Sequence, residues 1–196
     1  MREEFVKAIE QAKTYIHKIE DVSHNIVHVK SVVDYAIIIA ESYPEVDLNL
    51  IEVAAWWHDV GRVSGNQGHE QRSAEIARDF LKQLGVELEI CNQVYDAIVF
   101  HKWSMKPVTL EGEIIRDADK LDFISISRWK ACLDANILGP LKELSLLLPR
   151  LRNELLHLDI SKKVYDSKII EFKNFIKTVE TINFSDIKKQ ILSYDL

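Results

Sequence analysis

Ala54-Ala55-Trp56-Trp57-His58-Asp59-Val60-Gly61 closes an apolar helical run with an adjacent histidine and aspartate. Leu50, Ile51 and Ala54 mark the inner face of that helix, and His58 follows Ala54 by one turn. Adjacent residues differ by about 100° around a helix axis, so His58 and Asp59 can serve one centre only where the helix is ending. Gly61 supplies that ending, and a left-handed residue just past the helix is expected there. Taken alone, the pair favours a plainer reading: Asp59 orients His58, or His58 simply suits a helix C-terminus.

Outward from this stretch, nearly every segment repeats its apolar residues with helical period, and none sustains a period-two alternation. Helices are expected at roughly 3–20, 25–42, 47–60, 69–85, 87–101, 109–123, 125–137, 140–158, 162–180 and 185–194. Pro44 with Asp47 punctuates the second junction. Thr109, just after Pro107, can cap the sixth helix, with Glu111 and Glu113 against its N-terminal dipole. Six glycines and four prolines are few for 196 residues, which suits long helices over a turn-rich β fold. The expected fold is all-α: a single compact helical domain of about nine or ten helices, with no flexible linker and no repeat. Gly61-Arg62-Val63-Ser64-Gly65-Asn66-Gln67-Gly68 is the most loop-like stretch, and it directly follows His58-Asp59.

With 47% apolar and 29% charged residues, the composition is that of an ordinary globular protein. A formal net charge of −6 gives no basic footprint for long nucleic acid or an anionic membrane, while leaving room for a local phosphate pocket. Cys91 and Cys132 form neither a metal pair nor a disulfide framework, which points to a reducing cytoplasm. The start, Met1-Arg2-Glu3-Glu4, lacks a signal-peptide core, and no apolar run is long enough to span a bilayer.

Two further helices turn chemistry inward. In the second, Ile26, Val29, Val33, Ile37 and Ala40 form one apolar stripe. Val32, Tyr35 and Ile39 form another, headed by His28 at the spacing i, i+4, i+7, i+11. Apolar residues on two sides mark a central helix, so His28 points inward. In the sixth, Ile114, Ile115 and Ala118 face the core with Asp119 and Asp122, while Asp117 is expected to point the other way into solvent. Asp122 is read as capping, pairing locally or joining the ligands. A carboxylate facing an apolar core is costly unless paired or bound to a metal. Imidazole nitrogens and carboxylate oxygens from three helices suit a divalent ion such as Zn²⁺, Mn²⁺, Fe²⁺ or Co²⁺.

His28, His58-Asp59 and Asp119 within Arg116-Asp117-Ala118-Asp119-Lys120-Leu121-Asp122 together resemble the H…HD…D pattern of the HD superfamily of metal-dependent phosphohydrolases. Ser23-His24-Asn25-Ile26-Val27-His28-Val29 resembles the start of that family's first motif helix. Gly68-His69-Glu70-Gln71-Arg72-Ser73-Ala74-Glu75-Ile76-Ala77 resembles the helix after its HD loop. The likeness covers about residues 20–130, with a helical extension over about 131–196. Arg62 stands where many members carry lysine, and Asn25 where several carry aspartate.

The resemblance implies that His28, His58, Asp59 and Asp119 bind one divalent ion: Mn, Fe, Co, Zn or Mg. Asp59 would also orient the nucleophile, bridging the ions if there are two. His69 and His101 stand where some members place histidines for a second metal or for substrate phosphate, and are taken with Asp59 as the catalytic set. Arg62, Arg72, Lys102 and Lys120 are candidates to hold phosphate, with His24 beside the site; a solvated surface charge is the plainer reading of each cation. His17 and His157 are read as surface or packing residues. The implied activity is hydrolysis of a phosphoester or phosphoanhydride in a small phosphorylated metabolite, with a nucleotide as the leading case. The alternative is a non-catalytic sensor module of the same fold. The leucine-rich stretch Leu141 to Leu158 is expected to cover the core or to form a homodimer contact, with no part in the chemistry.

Overall fold

The structure, a computed structural model, describes residues 1–102 and 105–196. Among them are ten α-helices and no strand, as the periodicity predicts. In chain order these are α1 Glu3–Ile16, α2 Ile26–Ala40, α3 Leu48–Trp57, α4 His69–Gln83 and α5 Leu88–Val99. They continue with α6 Leu110–Leu121, α7 Ile126–Asp134, α8 Gly139–Arg150, α9 Asp159–Thr178 and α10 Ser185–Ser193.

The layout follows from which helices are apolar all round. From Val53 to Gly61 every residue is buried, and α2 buries residues on both of its predicted stripes, so these two helices lie at the centre. α2 packs against α3, α6 and α7, while α3 also meets α1 and α5, and α4 pairs with α5. Short polar side chains start several of these helices by accepting orphan backbone amides. Asp47 accepts from the Asn49 amide at 2.8 Å, Asn25 from Val27 at 2.8 Å, and Thr109 from Gly112 at 3.1 Å. Asn25, the departure from the aspartate of several HD proteins, therefore serves as the cap of α2.

Three expectations need correcting. Gly61 is not a left-handed residue; positive φ occurs at Gly65, Gly68, Gly85 and Asn136 among the described residues. Its reason is contact: a Cβ there would lie 2.5 Å from the His69 carbonyl oxygen and 2.8 Å from the Ser73 nitrogen. The helix expected over 140–158 stops at Arg150 and loosens into a π turn, Leu151–Leu155. Pro149, which has no N–H to donate, sits at the break. Asp117 is fully buried rather than solvated. Its carboxylate accepts the amides of His157 at 3.0 Å and Leu158 at 2.9 Å, because α9 covers the face of α6 that the sequence left open. His17 and His157 are exposed, as expected, although the His157 ring reaches Arg116 at 3.2 Å.

Candidate metal centre

Each histidine of the cluster is delivered by a helix end. His28 lies in the first turn of α2, His58 just past α3, His69 at the start of α4 and His101 just beyond α5. Asp59 leaves α3 at φ −112°, ψ 3°, the sparsely populated bridge region in which active-site residues recur. This turn lets two adjacent side chains face one point, as the His58-Asp59 spacing required. Before α4, Gly68 at φ 68° sets the angle at which His69 enters.

The hydrogen bonds behind the rings orient all four imidazoles the same way. Nδ1 of His58 donates to the Ala55 carbonyl at 2.7 Å, Nδ1 of His69 to Asn66 at 2.8 Å, and Nδ1 of His101 to Ile98 at 2.5 Å. Nδ1 of His28 donates to the Asp122 carboxylate at 2.7 Å. An acceptor on Nδ1 fixes the hydrogen there and leaves the lone pair on Nε2, the arrangement that oriented metal-binding imidazoles require.

The four Nε2 atoms converge on Asp59 in two pairs. His28 and His58 lie 3.4 and 3.7 Å from Oδ2, and their own Nε2 atoms are 3.2 Å apart. His69 and His101 lie 3.1 and 3.9 Å from Oδ1. Two donor groups therefore share one carboxylate: His28-His58-Asp59 and Asp59-His69-His101. Asp119 stands at the edge, its side chain 16% exposed and its Oδ1 3.7 Å from His28 Nε2, with the other oxygen against Lys120.

These residues fit a divalent cation. Both Asp59 oxygens and His69 Nε2 are buried without a hydrogen-bond partner; Arg62 Nε comes within 2.6 Å of Oδ2 but is poorly aligned. Leaving buried acceptors unsatisfied costs about 1–3 kcal/mol each, and a cation among nitrogen and oxygen donors removes that cost. Burial opposes ionisation of Asp59 and Asp119, yet neighbouring cations and imidazoles hold both carboxyls well below the usual carboxylate range. Burial lowers His58 as well, and takes His101 down to about 3.

A cavity of about 340 Å³ opens beside Asp119 and is lined by Asp21, His24, Arg62, Lys120 and Arg128, among others. Arg62, Lys120 and His24 thus stand where a bound molecule would meet them. His24 packs edge-on to His28, with ring centroids 5.3 Å apart, and holds Asp21 at 2.6 Å. Arg72, a candidate to hold phosphate, does not line this cavity. Its guanidinium donates to the carbonyls of Gly61 at 3.2 Å and Gln67 at 2.5 Å, and also meets that of Gly65, stapling the loop after His58-Asp59. Lys102 is exposed and lies outside the cavity lining.

Sequence reasoning left Asp122 open and missed Arg128 and Asp21. Asp122 carried a signal, since it shares the inner face with Asp119; Arg128 and Asp21 carried none. A larger cleft of about 430 Å³, between Lys30, Tyr35, Ser125 and Lys168, contains none of the cluster.

Residues 25–124 match the model of the HD domain, a stretch that contains every member of the cluster. The chain belongs to the HD domain family. Over 128 residues this HD-domain chain is 32% identical to the uncharacterized protein YpgQ of Bacillus subtilis (strain 168). That match spans 61% of the chain and 62% of YpgQ, less than two thirds of the relative's length. Among solved structures, a predicted HD superfamily hydrolase from an uncultured Thermotogales bacterium superposes with a TM-score of 0.66 at 23% identity. It covers 87% of this chain and 88% of its own. Bacillus subtilis YpgQ in complex with ADP superposes with a TM-score of 0.62 at 21% identity, covering 92% of this chain and 99% of its own. At these identities the likeness shows the fold.

Proposed function

We propose that this HD-domain protein hydrolyses a phosphoester or phosphoanhydride bond in a small phosphorylated metabolite, a nucleotide above all, using two divalent ions that share Asp59. One observation carries the reading: four Nε2 atoms, oriented by the partners of their Nδ1 atoms, face the two oxygens of one carboxylate. His28, His58 and Asp59, with Asp119 at the edge, would hold one ion, and Asp59, His69 and His101 the other. When bound, such ions supply Lewis acidity toward a phosphoryl oxygen and lower the pKa of water from about 16 toward roughly 7.

The chain's own residues do the rest. Asp59 fixes the separation of the two histidine pairs. Arg62 and Lys120, beside carboxylates of the cluster and within the cavity lining, would orient the phosphate oxygens and offset their charge. A polar cavity of about 340 Å³ suits a small molecule and not a polymer. The ADP complex of YpgQ supports a nucleotide as ligand. The proposal includes a cytoplasmic setting, consistent with free, buried Cys91 and Cys132, and a single domain over the whole chain.

Metal analysis combined with a phosphate-release screen over nucleotides, with Mn²⁺, Co²⁺ or Mg²⁺ added, tests this. About two ions per chain with release from at least one nucleotide is the expected result. Stoichiometric metal without release from any substrate would leave a sensor, and absence of metal under all conditions would end both readings.

A further inference from the structure

The cavity beside the metal centre is not built by the HD core alone. Glu143, Leu144 and Leu147 of α8 line it, together with Phe123 from the 3-10 turn after α6. α8 lies beyond residue 124, where the family match ends. It packs on α7 and on the turn Asp122–Ile124, the same turn that brings Asp122 to His28.

The lining is of two kinds. Arg62, Lys120 and Asp119, from the segments that carry the cluster, make it charged there; Leu144, Leu147 and Phe123 make it apolar elsewhere. Lys120 Nζ sits 5.4 Å above the Phe123 ring, where the two kinds meet. Inorganic phosphate or pyrophosphate has no use for an apolar wall. A molecule with phosphate at one end and a flat, weakly polar body at the other uses both.

Resting on the reading proposed above, we infer that α8 is the substrate-selecting wall: Leu144, Leu147 and Phe123 receive the base or sugar of a nucleoside phosphate, and Glu143 accepts from its hydroxyl or amino groups. Specificity then depends on a helix outside the metal-binding core, so the two can vary independently.

The test uses the full chain with Mn²⁺, ADP as binding probe, and hydrolysis of nucleoside triphosphates compared with inorganic tripolyphosphate. Leu147→Asp is the main variant, with Leu147→Ala and Glu143→Gln in case it folds poorly. Leu146, 56% exposed and absent from the cavity lining, gives the control Leu146→Asp. The expected result is a rise of about tenfold or more in the ADP Kd and nucleotide KM for the Leu147 variants, the loss set by one apolar side chain. The rise in KM for tripolyphosphate should be several-fold smaller, and Leu146→Asp should match wild type. Equal effects on nucleotide and tripolyphosphate, or no change in ADP affinity, would overturn the inference while leaving the proposed function standing. Wild type that binds no ADP and releases phosphate from no nucleotide would instead remove the nucleotide reading, and this inference with it.

Discussion

Asp122 accepts the Nδ1 hydrogen of His28 at 2.7 Å across 94 residues of sequence, and the same oxygen accepts from Arg128 at 2.8 Å. The pair fixes the tautomer and angle of an imidazole whose Nε2 faces Asp59. Asp122→Asn can turn an amide N–H toward Nδ1, which removes the acceptor and leaves Arg128 without its counter-charge. Metal affinity should fall by about 10–100-fold, measured by calorimetric titration with Mn²⁺. Affinity within twofold of wild type would show that the link is only structural.

The same contact makes metal binding pH-dependent. Burial alone lowers His28, but the charge and hydrogen bond of Asp122 outweigh it, and the imidazole is pushed up to about 9 from 6.5. A raised value means that protonated His28 stabilises the metal-free fold fully below about 6.5, and that this contribution fades as pH rises through about 9. A cation needs the Nε2 lone pair, so proton and metal compete. Metal affinity should rise from pH 7 to 9 and then level, with roughly one proton released per chain at pH 7.5. Titrations in buffers of different ionisation enthalpy measure that release, and a flat profile would contradict the competition.

How much of this was legible in the chain depends on the range of each interaction. Helix existence was legible because apolar period is a local property, and the helix starts at Asp47 and Thr109 were legible because caps are local too. His28, His58 and Asp59 could be placed inward for the same reason. The role of Asp117 was not, since its partner amides lie 40 residues away and only α9 makes that face an interior. Pro149 was visible, yet the expectation carried the helix through it. Nothing in Leu144 or Leu147 marks a cavity wall, because an apolar side chain has no chemistry until the fold gives it a neighbour.

Asp117 and Asp119, two residues apart, should separate cleanly under mutation. Asp117→Ala leaves the amides of His157 and Leu158 without their acceptor, at a cost of about 1–3 kcal/mol. Metal affinity should be preserved, since Asp117 touches no member of the cluster. Chemical denaturation and metal titration on the same sample check both halves; a large loss of affinity with unchanged stability would reverse the assignment.

Gly61→Ala tests the close approach behind the centre. The new Cβ would meet the His69 carbonyl and the Ser73 nitrogen, both backbone atoms, and the Gly61 amide would lose its 2.9 Å bond to Ser73 Oγ if the loop moved away. Overpacking of this kind costs about 1–3 kcal/mol. The shift should also draw His69 from Asp59, so one ion should bind more weakly than the other. A variant as stable as wild type, with unaltered stoichiometry, would mean that the loop yields freely.

The shared carboxylate separates a two-ion centre from a one-ion centre with spectator histidines. His69→Ala or His101→Ala removes a donor from the Oδ1 side alone, so the bound metal should fall from two ions to one while the His28-His58 side still loads. Asp59→Ala removes the carboxylate from both sides: binding of either ion should collapse and turnover should disappear. Far-UV circular dichroism should stay near wild type, because Asp59 lies in the turn past α3 and its pairing with Arg62 is confined to the loop that follows. Thermal melts with and without Mn²⁺ read the same distinction. Metal should raise the melting temperature of wild type most, of His69→Ala less, and of Asp59→Ala not at all. One ion bound by wild type and by His69→Ala alike would reduce His69 and His101 to bystanders.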